Sequence, residues 1–448
     1  MLNYLRDAFI RRKYFKGCKM DKNELKQLVG QAIDRVQDKL ISIGKDIWEH
    51  PEPGYEEFRT AQIVAEEFKK LALPCRTQLA RTGVRADLQT VNDGPVIAVL
   101  GELDALVMPE NPDADPVTHA AHACGHNMQI TGLLGAAIGL ASVPEVKEEL
   151  SGKIAFIACP AEECRITSFE GIKYLGGKAE LIRLGVFDDV QMAFMTHANA
   201  NFGAAETSNG FVMKKVTFHG KAGHCGRPWD GCNALSAARL ALSAVDMQRD
   251  LCQDQDCVRI HGIIQKGGSV VNIVPEEVEL EYQLRAMSTE AIRSTSAMFD
   301  RCMKGAATAF DLGVTIRTYA GYMPLYNEPE LLDIHRQNVV VQHPEVTFGN
   351  FGRRTSSTDM GDVSQIMPAI HPYGGRWSGI GHHQSFHWTD EVESFVNPAK
   401  VMAMNVIDLL YGDAAAARKI AQIKPNMTKA EYLAFLDSFN TEEHFNCK

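Results

Sequence analysis

The sequence predicts an α/β protein: a mixed-sheet domain with helices on both faces, into which a second domain of α+β sandwich type is inserted. Three observations lead there. Short apolar runs of strand length at Val96–Leu100, Ile154–Cys159 and Met192–Met195 alternate with helical segments. Each run ends in a reactive cluster: Glu102 and Asp104 after the first, Glu162 and Glu163 after the second, His197 after the third. In an open α/β sheet the carboxyl ends of the strands line the ligand crevice, so three separate segments deliver donors to one edge. Between about residues 208 and 318 the order becomes strand, helix, two strands, helix, strand, which is that of an α+β sandwich.

Taken in order, residues 1–20 form an N-terminal extension. They carry Arg6, Arg11, Arg12, Lys13, Lys16 and Lys19, without the apolar run and cleavage site of a secretory signal. From Lys22 to Trp48 the residues Leu25, Leu28, Val29, Ile33, Val36, Leu40, Ile43 and Ile47 recur at spacings of three and four, predicting a helix with one buried face. A further helix is expected over about Glu56 to Leu71, after the break at Pro51, Pro53 and Gly54. The apolar stretch Ile130–Val143 is shorter than the roughly 18 to 20 residues a bilayer span needs and is broken by glycines, so it reads as a core helix. The inserted segment supplies strands at Phe211–Phe218, Cys257–Ile264 and Val278–Met287 and helices at Ala234–Val245 and Thr289–Phe310. From Gly321 the chain is expected to stay in the large domain, ending in an alanine-rich helix after Leu410 and a capping box at Thr428. The expected division is a catalytic domain of 21–207 and 320–448 and an inserted domain of 208–319.

Composition narrows the function. At 448 residues the chain exceeds one ordinary core, and 45% apolar with 23% charged residues is a normal globular balance. A formal charge of −10 opposes binding to a phosphate backbone, so nucleic acid is not an expected partner, and neither is a membrane. Eleven scattered cysteines lack the dense spacing of a disulfide scaffold and suit buried thiols in a reducing compartment, with the cytoplasm as the default.

The segment Thr118–Asn127 places His122, Cys124 and His126 within five residues, with Gly125 allowing the chain to turn. Thiolates and carboxylates can bridge two cations, whereas a neutral imidazole binds one. Cys124 is therefore a candidate bridge, and His126, Glu163, His197 and His383 are candidate terminal ligands, leaving Glu162 as a general base. His122 stays outside the ligand set because its spacing also occurs in non-ligating turns, and His219, His261, His371 and His387 read as structural. Two rivals remain: a thiol hydrolase in which His126 activates Cys124, and a catalytically inactive, metal-stabilised binding protein. The surplus Glu162 favours an open, working site over a closed one.

As a set, HACGHN, PAEE, THA, GKAGHCGRPWDG, GGSVVNIVPEEVELEYQLR and STD resemble the co-catalytic metallo-amidohydrolases that include aminoacylase, carboxypeptidase G and the auxin-conjugate hydrolases, the aminobenzoyl-glutamate hydrolase branch most closely. The resemblance implies Cys124, His126, Glu163 and His197 as ligands and Glu162 as base. The resemblance places the last ligand in HHQSF and, by the family's usual spacing from this histidine to an Asp-Glu pair, here Asp390 and Glu391, implies His383 rather than His382. It further implies that the inserted domain is a lid and dimerisation domain, that His224 serves a neighbouring subunit's site, and that Asn272 and Arg285 hold a substrate carboxylate. Two divalent ions are implied, zinc or manganese, with nickel or cobalt also suitable. The expected activity is metal-dependent hydrolysis of the amide bond in N-acyl amino acids, aminobenzoyl-glutamate-like conjugates or dipeptides by a homodimer. Asn127 stands where this family commonly has aspartate, and Glu102 begins what is commonly an Asp-x-Asp pair, so the surroundings of the metals are expected to differ.

Overall fold

A computed structural model describes residues 20–446; the basic segment 1–19, which holds nearly all of the expected extension, lies outside the described residues. The large sheet has six strands in the order Cys75–Leu79, Gly83–Gln89, Ser151–Cys159, Asn92–Glu102, Met192–Phe194, Ala369–Ile370. Asn92–Glu102 runs parallel to both Ser151–Cys159 and Met192–Phe194, while Gly83–Gln89 runs antiparallel to its neighbour, so the sheet is mixed. Strands covered on both faces need continuous apolar runs, and Ser151–Cys159 is buried at nearly every position. In register Glu102 lies opposite Cys159, so the chain leaves both central strands at one edge, with Asp104 and Glu162 just beyond it.

The helix His126–Ser142 is buried all round from His126 to Leu140. Its glycines admit close neighbours: a Cβ on Gly135 would sit 2.6 Å from the Cβ of Ala399 in the helix Asn397–Leu410. The single helix expected from Lys22 to Trp48 is two, Lys22–Asp34 and Gln37–Glu49. The Val36 N–H closes onto Ile33 rather than four residues back, a tightened last turn that lets the apolar stripe bend around the buried helix. Among the described residues no helix is long and apolar enough to cross a membrane.

The second sheet is antiparallel, in the order Arg259–Lys266, Glu277–Ala286, Gly210–His219, Gly313–Ala320, Thr441–Phe445. Burial alternates strictly along Gly313–Ala320, as in a sheet with one covered face, and Ala237, Ala241, Phe299 and Met303 of the helices Ala234–Gln248 and Thr289–Ala309 share its core. One expectation is corrected here. Thr441–Phe445 does not remain with the large sheet but adds to the edge of Gly313–Ala320, where Glu443 pairs with Lys304 at 2.6 Å. The opposite edge, Arg259–Lys266, has no further strand among the described residues and leaves Ile263 and Ile264 53% and 48% exposed.

Candidate metal centre and active-site cavity

Gly125 makes the site possible. Its φ of +85° lies in the left-handed region, and a Cβ there would meet Ala198 Cβ at 2.3 Å, so only glycine allows the turn that ends at Cys124 and starts a helix at His126. Cys124 Sγ lies 3.2 Å from His197 Nε2. Burial disfavours the thiolate, but His197 and His126 outweigh burial and the nearby Glu163, bringing the thiol down to about 5.

His126 has its two nitrogens assigned by their partners. Nδ1 donates to the Asp104 carbonyl at 2.8 Å, which leaves the Nε2 lone pair free to bind a cation. Nε2 faces Glu102 Oε2 at 3.1 Å and Glu162 Oε2 at 3.8 Å. Asp104 also accepts the Glu163 backbone N–H on its carboxylate at 2.7 Å, so one buried residue positions two donor residues. Glu162 itself is buried, and burial first, then Glu102 and Glu163, push its carboxyl well above the ordinary value.

Donor atoms within 4.8 Å of one another form two sets that share Cys124: Cys124, His126 and His197, and Cys124, Glu163 and His382. A third set joins Glu102, His126 and Glu162. The first two suit divalent transition ions: they mix N, O and S donors, and His126 Nε2 and Glu163 Oε1 are buried without an ordinary hydrogen bond.

The donor set takes in His382, where the sequence pointed to His383. The His382 N–H donates to the Ala123 carbonyl at 2.9 Å, tying its loop to the Cys124 turn, and His382 Nε2 stands 3.3 Å from Glu163 Oε1. His383 points into solvent and closes a local turn, its Nδ1 2.8 Å from Ser385 Oγ. Spacing to Asp390 and Glu391 was no guide, because Asp390 caps its own helix and Glu391 pairs with Lys45.

Cys124, Glu162, Glu163, His197 and His382 line a cavity of about 580 Å³, and Arg285 lines it too. His224 and Asn272 do not line it. Both are exposed on the inserted domain, where the Cys225 N–H bonds to the Asn272 carbonyl at 3.0 Å. Asn127 is buried, and its amide donates to the Gly44 carbonyl at 3.0 Å, serving helix packing.

The model of the peptidase family M20/M25/M40 matches residues 98–406. The chain belongs to that family. As an M20 member it is a hydrolase of the metallopeptidase and amidohydrolase group. It is 29% identical to the Xaa-Arg dipeptidase of Mus musculus over 87% of this chain and 90% of that protein. With the N-acetyl-L-cysteine deacetylase of Bacillus subtilis the identity is 27% over 68% of this chain and 73% of that protein. A Bacillus subtilis structure described as a dinuclear metal binding peptidase of the M20 family superposes with a TM-score of 0.65 at 20% identity, covering 84% of this chain and 99% of that one. The aminobenzoyl-glutamate utilization protein of Klebsiella pneumoniae gives 0.63 at 20% identity over 85% and 98%. At these identities the structures share the fold.

Three features of this M20 site escaped the sequence. Lys178 is fully buried between Glu102, at 2.5 Å, and Asp359. His371 lines the cavity beside His197, ring centroids 5.2 Å apart, with both ring nitrogens buried and without hydrogen-bond partners. Arg354 lines the cavity as well. Asp359 closes the STD motif, a usable signal; Lys178 and His371 sit in runs that carry none.

Proposed function

We propose that this M20 chain hydrolyses the amide bond of N-acyl amino acids, aminobenzoyl-glutamate-like conjugates or dipeptides, at a site where Cys124, His126, His197, Glu163 and His382 would hold two divalent cations. The observation that carries this reading is the pair of donor sets meeting at Cys124 on the wall of the cavity. His126 and His197 would hold one ion, Glu163 and His382 the other. Such ions supply Lewis acidity to the amide carbonyl and lower the pKa of water toward neutrality. Two of the relatives, named as a dipeptidase and a deacetylase of an N-acyl amino acid, support the substrate class.

The protein's own work is proton movement and positioning. Glu162 lies beside His126 Nε2 yet belongs to neither Cys124 set, so its carboxylate is available to take a proton from the attacking water and return it to the departing nitrogen. Arg285, held by Gln283 Oε1 at 2.7 Å, offers a guanidinium to the substrate carboxylate. In this reading the exposed His224 and Asn272 serve the cavity of a second copy, joined through the inserted domain, where the imidazole stabilises the developing oxyanion.

The contact of Cys124 with His197 is also what a thiol hydrolase would need. That reading leaves Glu163 and His382 without a task. The deciding variant is Glu162→Gln in metal-loaded protein: bound metal is retained and turnover falls by roughly 10²- to 10⁴-fold. Unchanged turnover would remove Glu162 as the base, and a protein inert before and after the substitution would be the inactive binding protein.

A further inference from the structure

Two arginines face the cavity, and among the described residues neither has a carboxylate partner. Arg285 satisfies part of its guanidinium on neutral groups, Gln283 Oε1 at 3.2 and 2.7 Å and Ser357 Oγ at 3.3 Å. Arg354 is half-buried with its guanidinium 4.6 Å from the Phe351 ring centre and 5.1 Å from that of Tyr373. Stacking occupies the faces of the guanidinium and leaves its edge of N–H donors free for a planar acceptor. Tyr373 in turn lies 5.5 Å from the His197 ring, so Arg354 stands one aromatic ring away from the donor cluster.

Both arginines are paired to one stretch of backbone. Ser208 pairs with Arg354 and Phe211 with Arg285, so a single short segment carries both, and Ser357 ties the Arg354 loop back to Arg285. Against them, Glu162 and Glu163 are the only carboxylates among the described residues lining the cavity, and both face the donor cluster. A basic side chain in this cavity would meet two guanidiniums and no free counter-charge, which costs affinity through like-charge juxtaposition.

Resting on the hydrolase reading above, we propose that the released residue is an acidic amino acid, its α-carboxylate on Arg285 and its side-chain carboxylate forked onto Arg354. Arg354 is then the specificity-determining residue of this site. Charge-assisted bidentate pairing discriminates strongly against a neutral isostere, because glutamine offers the same shape without the charge.

The test compares kcat/KM of the metal-loaded full chain on N-acetyl-glutamate, N-acetyl-glutamine and N-acetyl-lysine, with the thermal shift given by free glutamate, glutamine and lysine as a second readout. The glutamate substrate should exceed the glutamine one by about tenfold or more and the lysine one by a wider margin. Arg354→Gln should raise KM for the glutamate substrate by about the same factor and so level the ratio between the glutamate and glutamine substrates; Arg354→Lys should recover only part, as it keeps the charge without the planar fork. Glutamine or lysine substrates cleaved as well as glutamate, or an unchanged ratio in folded Arg354→Gln, would overturn the proposal and leave amide hydrolysis standing. If no amide is cleaved, the hydrolase reading fails, and glutamate must still shift the melting temperature more than lysine or this proposal fails with it.

Discussion

Lys178 Nζ lies 2.5 Å from Glu102 Oε1 with both side chains wholly buried, and its other contact is Asp359. Burial pushes the Glu102 carboxyl up, but Lys178 beside it and His126 across from it pull harder, and the net direction is well down. An ion cluster of this kind repays its desolvation only while complete. Lys178→Ala leaves two buried carboxylates without their cation and should lower the unfolding free energy by about 3 to 5 kcal/mol in denaturant titration. A loss under about 1 kcal/mol would mean that the pair is hydrated or mispaired.

The two neighbouring histidines should separate cleanly. His382→Ala should abolish binding of one of the two ions and with it turnover, since His382 Nε2 faces Glu163 and belongs to a donor set. His383→Ala should leave metal content within error of wild type, because that ring serves Ser385 in an exposed turn. Metal analysis of the two purified variants reads the difference; the reverse pattern contradicts the assignment.

Much of this was legible in the sequence, and the exceptions have a physical reason. The strand runs and the donors that follow them were visible because burial on both faces demands apolar continuity and a strand end fixes where the next residues go. His382 was not distinguishable from His383 because the backbone bond that ties its loop to the Cys124 turn reaches Ala123, far away in sequence. Lys178 was invisible because its partners lie 76 and 181 residues away. Thr441–Phe445 is exposed and charged, so it shows no strand periodicity, and only pairing with Gly313–Ala320 makes it one.

Cys124 should react as a thiolate once metal is removed. With its thiol brought down to about 5, alkylation by iodoacetamide in chelator should proceed at full rate above that pH and slow as pH falls through it, the sense expected for a nucleophile lost on protonation. Zinc or manganese should protect it, read by peptide mapping. Equal labelling with and without metal would favour the thiol-hydrolase reading.

The open edge Arg259–Lys266 with its exposed Ile263 and Ile264 is the surface through which a second copy is expected to pair. Ile263→Asp should shift the protein to a monomer in light scattering and lower turnover in parallel, because His224 then has no neighbouring cavity to enter. A monomer of full activity would contradict the role given to His224.

The central claim is that the two donor sets meeting at Cys124 would each hold a cation. Anomalous diffraction from zinc-loaded crystals tests it most directly: two peaks per chain, both adjoining Cys124 Sγ, one beside His126 and His197 and the other beside Glu163 and His382. A single peak, or peaks away from Cys124, would contradict it.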